Sequence, residues 1–137
     1  MAHILKIGLA VVRGDSILLV RKRGSSTYIL PGGKPEAGED DRSALTRELM
    51  EELGCRIEDE SLRFMGSFTD RIQGSDVDTV TVRLYDGQLV GDTAAASEIE
   101  SLRWHPISNH ADEDLAPSLR NLILPFLSVL TRKPRRD

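Results

Sequence analysis

The sequence predicts an α/β domain, and three observations carry that reading. Short runs of branched or alternating apolar residues recur at 4–12, 16–20, 27–30, 62–68, 79–85 and 102–104, as strands do. One helical run with a clear start and stop occupies the middle of the chain, and a second closes it. At 137 residues the chain suits one packed core rather than two, because chains of this size bury roughly 65–70% of their unfolded surface. Residues 1–137 are therefore expected to form a single domain.

Taken in order, residues 4–12 are rich in branched side chains, Gly14-Asp15 signals a turn, and 16–20 are apolar again, which predicts a hairpin. The second strand runs out into Arg21-Lys22-Arg23, cations that either meet a nucleotide or solubilise an edge strand. Residues 24–26 form a loop, and the short strand 27–30 delivers the chain to Pro31-Gly32-Gly33. Pro31 holds Leu30 extended, and the two glycines permit a backbone approach that side chains would block.

The helix that follows is expected to start at Asp40 or Asp41, either of which can cap free N–H groups, and to stop at Gly54. At about 100° per residue, Leu45, Leu49 and Leu53 form one stripe that must pack on a sheet. Strands at 62–68 and 79–85 flank a largely polar turn, Asp86-Gly87 and Gly91-Asp92 mark further turns, and a short strand through 102–104 follows Ser97-Glu98. The closing helix is expected within 112–130, with Leu119, Leu122, Ile123 and Phe126 on one face. Pro117 fits its first turn, and Pro125 kinks or shortens it. Residues 131–137, with Arg132-Lys133-Pro134-Arg135-Arg136, read as a solvated tail.

Composition narrows the functional classes. A formal net charge of −4 with 29% charged residues disfavours stable nucleic-acid binding through a basic face. The apolar run 7–12 is too short for a signal peptide core or a membrane span. The single cysteine, Cys55, excludes an internal disulfide framework. A cytoplasmic protein is expected, as a monomer or homodimer.

Glu48, Glu51 and Glu52 lie within an arc of roughly 100° beside the leucine stripe. Like charges at these spacings repel, and they adjoin the buried face instead of standing opposite it. Something positive is expected there: lysines or arginines from elsewhere, or a hard divalent cation on oxygen ligands. Arg47 stands one turn before Glu51 and can hold its carboxylate.

The stretch from Gly33 to Cys55 resembles the Nudix box, G-x5-E-x7-R-E-U-x-E-E-x-G-U with U aliphatic, through Gly33, Glu39, Arg47, Glu48, Leu49, Glu51, Glu52 and Gly54; Cys55 replaces the final aliphatic residue. The resemblance implies an α/β/α sandwich with a mixed sheet and hydrolysis of a nucleoside diphosphate linked to another group. It implies Mg²⁺ (or Mn²⁺) on Glu48, Glu52 and the Gly32 carbonyl, with Glu51 a further ligand or a water-positioning group. Arg47 would orient the glutamates and Glu39 would hold loop and box together. The general base would come from the box or from Glu98, which stands six residues before Trp104. Lys34, Arg21, Lys22 and Tyr28 are the candidate substrate contacts.

The short chain and the placement of Glu98 resemble the MutT-like branch, which releases pyrophosphate from nucleoside triphosphates. The alternatives are a nucleotide-sugar, ADP-ribose or dinucleoside polyphosphate pyrophosphatase, or a non-catalytic nucleotide-binding module. Residues 70–72 lack the proline of the ADP-ribose relatives and the tyrosine of the dinucleoside polyphosphate relatives. Residues 116–119 lack the asparagine that reads oxidised purines.

Overall fold

The computed structural model describes residues 1–131; of the expected tail 131–137, Thr131 ends the last helix and residues 132–137 lie outside the described residues. Ten strands and two α-helices follow the expected α/β pattern: β1 (His3–Ala10), β2 (Val12–Arg13), β3 (Ser16–Lys22), β4 (Tyr28–Ile29), β5 (Gly32–Gly33), α1 (Asp41–Leu53), β6 (Arg56–Ile57), β7 (Arg63–Arg71), β8 (Thr79–Asp86), β9 (Leu89–Val90), β10 (Ile99–Pro106) and α2 (Leu124–Thr131). One sheet runs β5-β1-β8-β7 and a second β10-β3-β2, with β4 added to β3. The first is mixed, because β1 runs parallel to β8 and antiparallel to β5.

The expected hairpin of 4–12 with 16–20 is corrected here. Only Val12 and Arg13 pair with β3. Residues 3–10 belong to the other sheet, where all eight pair in register with 79–86. Both strands must be buried on two faces, and one uninterrupted ribbon could not serve both sheets, so the chain breaks at Val11 and changes sheet.

Two cores follow from the alternation along β1. Ile7, Leu9 and Val11 face α1, packing with Leu45, Leu49 and Leu53 as the helical stripe requires. Ala10, with Ile17, Leu19, Val82 and Leu84, meets Leu115, Leu119, Ile123 and Leu127 from the C-terminal segment on the other side. Helix, sheets and helix thus form the layers of an α/β/α sandwich.

The ends of α1 are set by local chemistry. Asp40 is the N-cap, its Oδ1 accepting the Ser43 N–H at 2.8 Å. Gly54 closes the helix with φ +68°, a conformation that a Cβ disfavours, and donates to the Met50 carbonyl at 3.0 Å. Asp41 turns instead to the sheet, accepting from Arg83 Nε (3.0 Å) and Nη2 (2.5 Å) and from the Tyr85 hydroxyl (2.7 Å). This clamp fixes the start of the glutamate helix against β8. Asp41→Asn should lower the unfolding free energy by about 1–2 kcal/mol, the worth of weakened charge-assisted bonds; an unchanged urea midpoint would show that the clamp contributes nothing.

The closing helix runs from residue 117 to 131 with Pro117 in its first turn, as expected, and the backbone before it is committed elsewhere: Tyr28 N–H donates to the Asp114 carbonyl and Ala116 N–H to the Tyr28 carbonyl. The expected shortening at Pro125 is corrected: the helix continues through it. Leu119–Ile123 winds as a π-helix, with Leu124 N–H donating to the Leu119 carbonyl, and α2 follows directly. The wider turn relieves the clash that a proline makes with the preceding turn.

Candidate active site

Of the three glutamates, Glu52 is the buried one, with 2% of the residue exposed. Its Oε1 accepts the Gly32 N–H at 3.0 Å, tying α1 to β5. Burial pushes its carboxyl up to about 7, with the neighbouring Glu48 charge adding to the shift and the Gly32 hydrogen bond opposing it. Among the described residues no lysine or arginine nitrogen lies within 4 Å of it.

Glu48 is half-buried one turn earlier on the same face, and burial likewise raises its pKa, against the pull of Arg47. Its carboxylate stands so close to Gly33 that a Cβ there would overlap it. Glu51 is the exposed member, with 54% of its side chain accessible.

Arg47 binds the cluster together. Its Nε and Nη2 donate to the Glu39 carboxylate at 2.7 and 2.9 Å, and Nη2 also donates to the Lys34 carbonyl at 3.2 Å. Its Nη1 lies 3.3 Å from Glu48 and 3.4 Å from Glu51. The Arg47 hydrogen bond, reinforced by the Glu36 N–H, holds the Glu39 carboxyl down at about 2. One guanidinium therefore fixes the glycine loop to the helix and serves the first two box glutamates of the helix.

Gly32 and Gly33 also line a cavity of about 360 Å³ between the two sheets, within the range of small-ligand sites. Ile4, Val80, Val82, Leu119 and Ile123 form its apolar wall; Lys6, Lys22, Arg71, Gln73 and Ser118 add polar groups. Lys22 Nζ also stands 3.6 Å from Glu98, whose side chain is 65% exposed.

The candidate substrate contacts separate. Lys22 lines the cavity, whereas Arg21 and Tyr28 do not. Neighbouring side chains on a strand point to opposite faces, and Arg21 pairs in register with Tyr28. There the Tyr28 hydroxyl bonds Ser101 at 2.9 Å, the Arg103 guanidinium lies 3.8 Å from its ring centroid, and Arg21 donates to the Ser25 carbonyl. Lys34 is exposed beside the loop. Four polar cavity residues were not anticipated: Lys6, Arg71, Gln73 and Ser118. Lys6 interrupts the apolar run of β1, a signal legible in the sequence, whereas Ser118 carries no such mark.

The donor set fits a hard divalent ion: a buried carboxylate with one oxygen on a backbone N–H, a half-buried carboxylate beside it, and a side-chain-free strand of glycines at their edge. Among the described residues no three acidic, histidine or cysteine side chains converge tightly enough to cage an ion alone. A hard divalent ion held there would complete its shell with waters or substrate oxygens.

The NUDIX domain model matches residues 3–126. A Mycobacterium tuberculosis protein named "Putative 8-oxo-dGTP diphosphatase 2" is 33% identical over 137 residues, covering 95% of this chain and 92% of its own length. The solution structure of the E. coli ORF135 protein superposes with a TM-score of 0.74 at 25% identity, covering 99% of this chain and 96% of that one. The crystal structure of the MutT protein from Methanosarcina mazei gives the same TM-score at 20% identity, covering 96% and 97%, a likeness of fold alone. The chain belongs to the Nudix family. Within it, this is a MutT-like hydrolase.

Proposed function

We propose that the enzyme hydrolyses a (deoxy)nucleoside triphosphate to the monophosphate and pyrophosphate, using Mg²⁺ or Mn²⁺ held by Glu48, Glu52 and the Gly32 carbonyl. The observation that carries this reading is the position of the glycine pair. Gly32 and Gly33 meet Glu52 and Glu48, and the same two glycines line the cavity. A nucleotide seated in the cavity thereby presents its phosphates at the acidic pair.

The bound ion supplies charge neutralisation of the diphosphate and a water of lowered pKa. The chain's own residues do the rest. Arg47 and Glu39 hold the loop and the helix in one frame, and Glu51 positions water from the exposed edge of the helix. Glu98, beside the cavity residue Lys22, is the carboxylate assigned to take the proton from the attacking water. The name of the M. tuberculosis relative supports a nucleoside triphosphate as substrate. A nucleotide-hydrolysing, mildly acidic protein fits the cytoplasm, and a monomer or homodimer suffices for a site built within one chain.

The test is a panel of dNTPs, oxidised dNTPs, ADP-ribose, nucleotide sugars and dinucleoside polyphosphates, assayed with Mg²⁺. Triphosphates are expected to turn over fastest with release of pyrophosphate, and hydrolysis in ¹⁸O water locates the attacked phosphorus. Preference for a nucleotide sugar or ADP-ribose would overturn the substrate, and nucleotide binding without hydrolysis of any member would overturn the enzymatic reading of this site.

A further inference from the structure

Lys6 breaks the pattern of the strand that carries it. On β1 the side chains of Ile7 and Leu9 face α1, and those on the opposite register, Ile4 and Lys6, line the cavity. Lys6 pairs with Val82 of β8, itself a cavity residue, so alternation calls for an aliphatic side chain at this position. Among the described residues its ammonium has no carboxylate within 4 Å and no hydrogen-bond acceptor. An ammonium offers three donors and accepts none, so at the cavity wall its donors are open to an incoming oxygen.

Its electrical surroundings say what it lacks. Burial pulls its pKa down, the Lys22 and Lys34 charges pull it further, and the Glu52 and Glu48 charges only partly offset them. Lys22 and Arg71 line the same cavity, so three cations stand around one space that Gly32 and Gly33 also line. Lys22 already has Glu98 at 3.6 Å, whereas Lys6 has no carboxylate that close, and an anion in the cavity is the group that would meet its charge.

We propose that Lys6 is a substrate-binding residue whose ammonium takes an oxygen of the phosphate that joins the nucleoside, with Lys22 lining the same cavity. The assignment rests on the nucleotide reading above and deepens it. Lys6 belongs to the binding of the substrate; the acidic pair belongs to its cleavage.

The test is calorimetric titration of the metal-free protein with dGMP and with deoxyguanosine, for wild type and Lys6→Met, alongside the melting temperature of each without ligand. Lys6→Met is expected to bind dGMP about tenfold more weakly or worse, the loss of one charge-assisted hydrogen bond. Deoxyguanosine affinity should be unchanged, and the ligand-free melting temperature should equal or exceed that of wild type. A purely structural lysine would show the reverse, a lower melting temperature with dGMP affinity intact, and that result overturns the assignment. Equal losses for dGMP and deoxyguanosine also overturn it, placing the contact on the base or sugar. Lys6→Gln, which removes the charge but stays polar, separates charge from side-chain volume: dGMP affinity restored to the wild-type value would sink the phosphate contact. If wild type binds neither compound, the nucleotide reading falls and this assignment with it; if wild type binds dGMP and both variants match it, Lys6 alone is misassigned.

Discussion

Glu52→Gln is expected to abolish turnover and to make the metal-free protein more stable. The substitution keeps an oxygen that can accept the Gly32 N–H and removes the charge of a residue that is 2% exposed. The sign of the pH dependence follows from the direction of the shift. The folded carboxyl sits at about 7 against an ordinary 4.5, so between those values the folded state binds more protons than the unfolded one. Stability is therefore greatest below about 4.5, falls as the pH rises through the window, and reaches its full deficit above 7. From the size of the shift the deficit is about 3 kcal/mol. Wild type and Glu52→Gln should melt together near pH 5 and separate by several degrees at pH 8, the variant higher, while hydrolysis falls by a factor on the order of 10³ or more, the range seen when one charge-stabilising group is lost. Matching melting curves at pH 8 would show that Glu52 is not held ionised at a cost, and undiminished turnover would remove it from the site.

That combination, an ionisable group kept where folding alone would exclude it, also marks what the sequence could and could not reveal. The helix from Asp41 to Leu53 was legible because its period, its Asp40 cap and the Gly54 stop agree with one another. Glu48, Glu51 and Glu52 stood out for the same reason, since their place on the helix follows from spacing alone. Their different exposures did not follow, because these depend on Gly32 and Gly33 arriving from another part of the chain. Long-range partners were equally hidden. Nothing local in residues 3–10 says that they pair in parallel with β8, and a run of branched residues up to Val12 reads as one strand although it serves two sheets. The anchoring of residues 114–116, just before the C-terminal helix, depends on Tyr28, some ninety residues upstream. Side-chain direction at β3 was readable in principle: adjacent Arg21 and Lys22 must face opposite ways, and only one could meet the cavity.

The two glycines before the helix should fail in different ways when each is replaced by alanine. Gly32 has φ +137°, a backbone conformation that residues with a Cβ rarely adopt, and a Cβ there would overlap the carbonyl oxygen of Ile7 in β1. Neither the conformation nor a central strand can yield, so Gly32→Ala should destabilise the protein by roughly 4 kcal/mol or more, in the exceptional range for a single substitution. Gly33 has no such backbone demand. The nearest atoms its Cβ would meet are those of the Glu48 carboxylate, the far end of a side chain that can swing aside. Gly33→Ala should therefore fold, at a cost of about 1 kcal/mol from the displaced side chain. Turnover, however, should drop on the order of 10²-fold, because a carboxylate moved by an ångström no longer meets the diphosphate as the reaction requires. Urea unfolding paired with steady-state kinetics separates the two. A stable, inactive Gly33→Ala beside an unstable Gly32→Ala would mean that Gly33 is reserved for Glu48 and Gly32 for the sheet. Equal destabilisation would mean instead that both serve only the close approach of β5 to β1.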